Sequence, residues 1–174
     1  MDKAAFYAKL ADELAALLVG ERDPIANAAN TAALLYQRME AVNWAGFYFR
    51  QGDELVLGPF QGKPACVRIA VGRGVCGTSA ARRETIVVPD VHEFPGHIAC
   101  DAASNSDVVV PILRDGDLVG VLDIDSPVLG RFDAADGAGL ERIVDVFREE
   151  IDWGSSLTRL GEESKIKNTM LVGF

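Results

Sequence analysis

Cysteine and histidine are scarce in this 174-residue chain, which has three cysteines (Cys66, Cys76, Cys100) and two histidines (His92, His97). An odd number of cysteines is a poor disulfide framework, and a chain this long buries enough surface to need no covalent or metal staple. The cysteine gaps are ten and twenty-four residues, whereas zinc sites usually pair their cysteines closely, so a structural zinc centre is disfavoured. Basic residues are outnumbered, with 17 Lys+Arg against 26 Asp+Glu and a formal net charge of -9. Such a field repels phosphate backbones and anionic lipid, so neither nucleic acid nor a membrane surface is an expected partner. No run of about 18 apolar residues exists to cross a bilayer. The first residues carry acids where a secretory signal needs an unbroken apolar stretch. The expectation is a cytoplasmic protein.

The chain does contain an ordinary globular mixture, 49% hydrophobic and 25% charged, sized for one domain. Residues 3–19 have helical spacing in Phe6, Leu10, Leu14, Leu17 and Leu18, with Gly20 as the stop. Asp23-Pro24 caps a second helix with Ile25, Ala28, Ala29, Ala32, Leu35 and Met39 as its buried stripe. Strand patterns follow at 44–49, 54–60, 66–71 and 85–88, with a short helix over 78–83. A polar connection spans 90–107. Strands at 108–113 and 118–124 flank Asp115-Gly116, a hairpin signal. Asp133 caps a last helix with Leu140, Ile143, Val144, Phe147 and Ile151 on one face. Hairpins dominate, so the layout is α+β: a central antiparallel sheet with N-terminal and C-terminal helices packed on it. Residues 1–153 form the domain, and 154–174 read as a tail outside this plan. The alanine-rich helical faces make a homodimer plausible.

Three residue sets point to chemistry. Cys76 sits among glycines just before the predicted short helix, where a helix N-terminus and Arg73, Arg82 and Arg83 would stabilise a thiolate. Cys100 lies in the long connection and Cys66 begins a strand. Cysteine is equally often a small buried hydrophobe, but two of these three occupy irregular settings that favour reactivity. Asp123 and Asp125 are two apart on a strand and share a face, and Asp107 at the start of the neighbouring strand could join them. Acids so placed hold a proton tightly or bind an ammonium, although solvated aspartates at a strand end fit the same pattern. Trp44 and Tyr48 share a strand face, suiting core packing or a cage for a small methylated group.

Longer motifs sharpen the picture. Asn43-Trp44-Ala45-Gly46-Phe47-Tyr48, the stretch from Gly72 to Thr78, that from Asp90 to Asp101, Ser104-Asn105-Ser106-Asp107 and Gly120 through Pro127 resemble the free methionine-(R)-sulfoxide reductases, enzymes built on a GAF domain. The resemblance covers residues 10–153. It implies a GAF-like fold and reduction of the R-sulfoxide of free methionine, with no cofactor and no metal. It carries Cys100 over as the nucleophile that becomes a sulfenic acid. Cys66 or Cys76 then forms a disulfide with it, and thioredoxin reduces that disulfide. Asp107, Asp123 and Asp125 would bind the ammonium and protonate or steer the oxygen. Trp44 and Tyr48 would hold the methyl-sulfur end. The family position matching Asp107 is usually glutamate, one methylene longer. The competing reading is a non-catalytic GAF sensor of a small metabolite.

Overall fold

Two helices open the chain: α1 (Lys3–Leu18) and α2 (Pro24–Arg38). The Asp23 side chain accepts from the backbone N–H groups of Ile25 and Ala26, and Pro24 occupies the first turn, where its missing N–H costs nothing. The buried face of α2 is Asn27, Ala28, Thr31, Ala32, Leu34 and Leu35. Leu17, Ile25 and Ala29, expected in the buried stripes, are exposed. The face turned inward includes polar Asn27 and Thr31 because both find local partners, the carbonyls of Glu21 and Asn27. Apolar spacing alone does not register that compensation.

The computed structural model describes residues 2–96 and 103–151. After the helices come β1 (Trp44–Gln51), β2 (Glu54–Gly62), β3 (Arg68–Ala70), α3 (Gly74–Arg82) and β4 (Ile86–Val88). One 3₁₀ turn (Val91–Glu93), β5 (Ser106–Arg114), β6 (Asp117–Ser126) and α4 (Ala134–Glu149) complete the order. The six strands form one antiparallel sheet in the order β3-β2-β1-β6-β5-β4. The architecture is the α+β plan expected. Arg114 pairs with Asp117, and Asp115 and Gly116 both have positive φ, the two-residue turn whose twist matches the strands.

Alternation along the strands divides the core in two. Ala45, Phe47, Phe49, Val108, Val110, Ile112, Leu122 and Ile124 face α1, α2 and α4. Trp44, Tyr48, Val109 and Val121 face the other way, towards Ile69, Val75, Cys76 and Ala80. Asp133 and Asp136 form a reciprocal capping box at the start of α4. Buried Asp136 also accepts from Tyr7 Oη at 2.9 Å and Lys3 Nζ at 2.6 Å, which ties α1 to α4.

Two boundaries differ from expectation where the site is built. The third strand begins at Arg68, leaving Cys66 in the link after β2. The Cys66 carbonyl accepts from Tyr48 Oη at 3.0 Å, so a side chain serves it in place of a sheet ladder. Helix α3 starts at Gly74, so Cys76 lies inside its first turn instead of before it. Among the described residues no helix is long and apolar enough to cross a membrane. The tail at 154–174 lies outside the described residues.

Candidate active site

Register brings the acids together. Asp107 on β5 pairs with Asp125 on β6, Val109 pairs with Asp123, and Trp44 on β1 pairs with Asp125. All three aspartates therefore stand on the sheet face opposite the α1, α2 and α4 layer, and each offers a carboxylate oxygen within 4.8 Å of the others. That spacing suits a cation, whether a primary ammonium or a metal ion. Asp107 and Asp123 are only 5% and 7% exposed, which rules out solvated acids at a strand end. Asp125 is half-buried.

Burial, then the charges of Asp123 and Asp125, pushes the Asp107 carboxyl far above the usual aspartate range. Asp123 is also raised by burial, but hydrogen bonds from Cys76 and Asp107 oppose the rise. Of the pair, Asp107 is the acid whose surroundings more strongly favour the protonated form. One oxygen of each, Oδ1, is buried without a hydrogen-bond partner among the described residues. A buried carboxyl oxygen left in that condition costs free energy until a ligand or water reaches it.

Trp44 and Tyr48 stack with ring centroids 5.9 Å apart, and Phe60 stacks on the other side of Trp44 at 5.3 Å. Glycine makes room for the indole. A Cβ on Gly46 would come within 2.7 Å of the Trp44 ring, and one on Gly62, where φ is +128°, within 2.6 Å. Trp44 Nε1 donates to the Lys63 carbonyl at 3.1 Å. Both aromatic side chains thus anchor the 63–66 segment as well as lining the cavity.

The three aspartates, the two aromatics and Cys76 border one cleft of about 580 Å³, open space at its mouth included. Pro64, Ala65, Ile69, Arg73 and Ser104 complete much of the wall. Arg73, expected from the sequence to stabilise a Cys76 thiolate, lines this wall, as does Ser104, to which the sequence pattern gives no role. Ser104 opens the Ser104-Asn105-Ser106-Asp107 stretch, and the Asn43 side chain donates to its hydroxyl at 3.2 Å. The connection from 90 is pinned at both ends: Val91 N donates to the Asn105 carbonyl at 3.0 Å, and Asn105 N to the Ser126 carbonyl at 2.8 Å. Cys100 and His97, between those pins, lie outside the described residues.

The cysteines do not behave alike. Cys66 is disulfide-bonded, and since Cys76 is free the partner of Cys66 lies outside the described residues. Cys76 is buried, and its Sγ donates to Asp123 Oδ2 at 3.1 Å. Burial, then the charges of Asp123 and Asp107, pushes this thiol well above its ordinary range. The stabilised thiolate expected at Cys76 is therefore reversed. Arg83 is directed to the Gly116 carbonyl at 2.6 Å instead, and carboxylates from two other strands outweigh the helix terminus. His92 sits exposed on the 3₁₀ turn against Asp90.

Residues 11–150 match the GAF domain family. The free methionine-R-sulfoxide reductase of Escherichia coli (strain K12) is 57% identical over 144 residues, covering 83% of this chain and 87% of that protein. The X-ray structure of free methionine-R-sulfoxide reductase from Neisseria meningitidis in complex with its substrate superimposes with a TM-score of 0.83 at 44% identity, covering 86% of this chain and 90% of that one. The fRMsr of Staphylococcus aureus in complex with substrate gives 0.80 at 49% identity, covering 83% of this chain and 94% of that one.

Proposed function

Because this chain belongs to the free methionine-R-sulfoxide reductases of the GAF-domain family, we propose that it reduces the R-sulfoxide of free methionine with Cys100 as nucleophile. The observation that carries this reading is the buried Asp107–Asp123 pair, clustered with Asp125 in a cleft walled by aromatics.

The Cys100 thiolate attacks the sulfoxide sulfur while Asp107 delivers its proton to the oxygen. The hydroxyl then passes from the methionine sulfur to the Cys100 sulfur as the transient bond between the two sulfurs opens, so methionine leaves as the thioether and Cys100 is left as a sulfenic acid. The Cys66 thiol condenses with it, releasing water and forming a disulfide. A thioredoxin dithiol reduces that disulfide by exchange and leaves oxidised. The disulfide-bonded state of Cys66 beside a free Cys76 supports Cys66 as the resolving thiol. Asp123 and Asp125 attract the substrate ammonium, Arg73 attracts its carboxylate, and Trp44 and Tyr48 pack on the methyl-sulfur end. A methionine inside a peptide lacks that ammonium, which favours the free amino acid. The acidic composition and few cysteines fit a cytoplasmic enzyme, and the helical layer offers a surface for a homodimer.

The test is turnover of the two separate sulfoxide epimers of free methionine with thioredoxin recycling. The R epimer should be consumed, and the S epimer and a peptide-bound sulfoxide should not. Binding of the sulfoxide without turnover would instead favour a sensor.

A further inference from the structure

Cys76 is the one cysteine that the proposed chemistry leaves unused, yet it is buried against the acids. Its place is built with care. Gly77, the next residue, has no room for a side chain because a Cβ would strike the Ala70 carbonyl oxygen. The Gly72 N–H donates to the Gly77 carbonyl at 2.7 Å, and Thr78 Oγ1 to the Gly74 carbonyl at 2.5 Å. These contacts hold the first turn of α3 close to β3 and aim the Cys76 sulfur at Asp123.

We propose that Cys76 is a positioning residue, whose S–H donates to Asp123 Oδ2 and so makes Asp123 the acceptor of the buried carboxyl pair, leaving the transferable proton on Asp107. The inference rests on the reductase reading above. Asp123 has two oxygens, and Cys76 occupies Oδ2 while Oδ1 is buried with no partner among the described residues. Without the thiol, Asp123 loses a donor that favours its charged form and becomes freer to rotate. The proton is then shared less one-sidedly and is held less well for delivery. A thiol kept protonated by burial among carboxylates is well suited to donate a hydrogen bond and poorly suited to attack a sulfenic acid.

The discriminating feature is that a resolving thiol needs sulfur, whereas a hydrogen-bond donor needs only S–H or O–H. The experiment compares wild type, Cys76→Ser and Cys76→Ala in steady-state reduction of free methionine-R-sulfoxide with thioredoxin recycling. Cys76→Ala should lower kcat about tenfold, the scale of one hydrogen bond to a charged group, with KM changed by less than about threefold. Cys76→Ser should restore kcat to within about threefold of wild type. Equal loss in both variants, or no loss in Cys76→Ala, overturns the proposal. Absence of wild-type turnover overturns the reductase reading instead. The infrared S–H band of the wild type, identified by its disappearance in Cys76→Ser, decides the matter if Cys76→Ala does not fold. Asp123→Ala should shift that band to higher frequency, and an unmoved band overturns the hydrogen bond itself.

Discussion

Replacing Asp107 by asparagine separates proton delivery from folding. Asparagine has nearly the same shape, and its Nδ2 can still donate to Asp123, so the carboxyl pair loses its proton but keeps its link. Loss of a positioned general acid costs roughly 100- to 10,000-fold in rate. The first methionine released per enzyme should slow by that range, while Cys100 alkylation by iodoacetamide proceeds as in wild type. Stability should move the other way. The folded chain holds the Asp107 proton far more tightly than an unfolded aspartate with a pKa of about 3.9. This group therefore contributes its full stability below about pH 4, and that contribution falls as pH rises through the raised value. Each unit of elevation corresponds to about 1.4 kcal/mol when the pH exceeds both values. Asparagine has no proton to lose, so the Tm of Asp107→Asn should gain on the wild type as pH is raised from about 5 to about 9. A variant that keeps more than about half the wild-type single-turnover rate would refute Asp107 as the acid. A Tm difference independent of pH would refute its raised affinity for the proton.

Other outcomes follow from the same geometry. Arg73→Ala should raise KM for the sulfoxide about tenfold in steady-state assays, since one charged contact to a carboxylate is lost. Tyr48→Phe removes the donor to the Cys66 carbonyl. It should lower unfolding free energy by about 1–3 kcal/mol and lengthen the lifetime of the sulfenic acid, as trapped by dimedone. Gly77→Ala sets helix propensity, worth up to about 1 kcal/mol, against a clash with a backbone oxygen. The clash should win, giving a net loss of about 1–3 kcal/mol in urea unfolding. Asp136→Ala removes the reciprocal half of the α4 capping box and strands the Tyr7 hydroxyl, so it should cost about 2–4 kcal/mol by the same measurement.

Local signals made much of the fold legible. Asp115-Gly116 specified its turn, Asp133 its helix start, and period-two alternation placed Asp123 and Asp125 on one face. The burial of Asp123 was not legible, because α3 packs against it from 47 residues earlier, the separation of Cys76 and Asp123. Cys76 shows the same limit in reverse. A helix terminus and nearby arginines argue for a thiolate, and only the fold reveals that acids from β5 and β6 oppose it. The roles of Asn43 and Ser104 were hidden for a similar reason, since their contact spans 61 residues.

Everything in the proposed chemistry depends on Cys100 receiving the sulfoxide oxygen. The direct measurement is methionine released per reduced enzyme, without any reductant, from the free R-sulfoxide. Wild type and Cys76→Ser should each release one equivalent and end with Cys66 and Cys100 joined. Cys66→Ser should release one equivalent and retain a sulfenic acid, and Cys100→Ser should release none. One equivalent from Cys100→Ser would contradict the account.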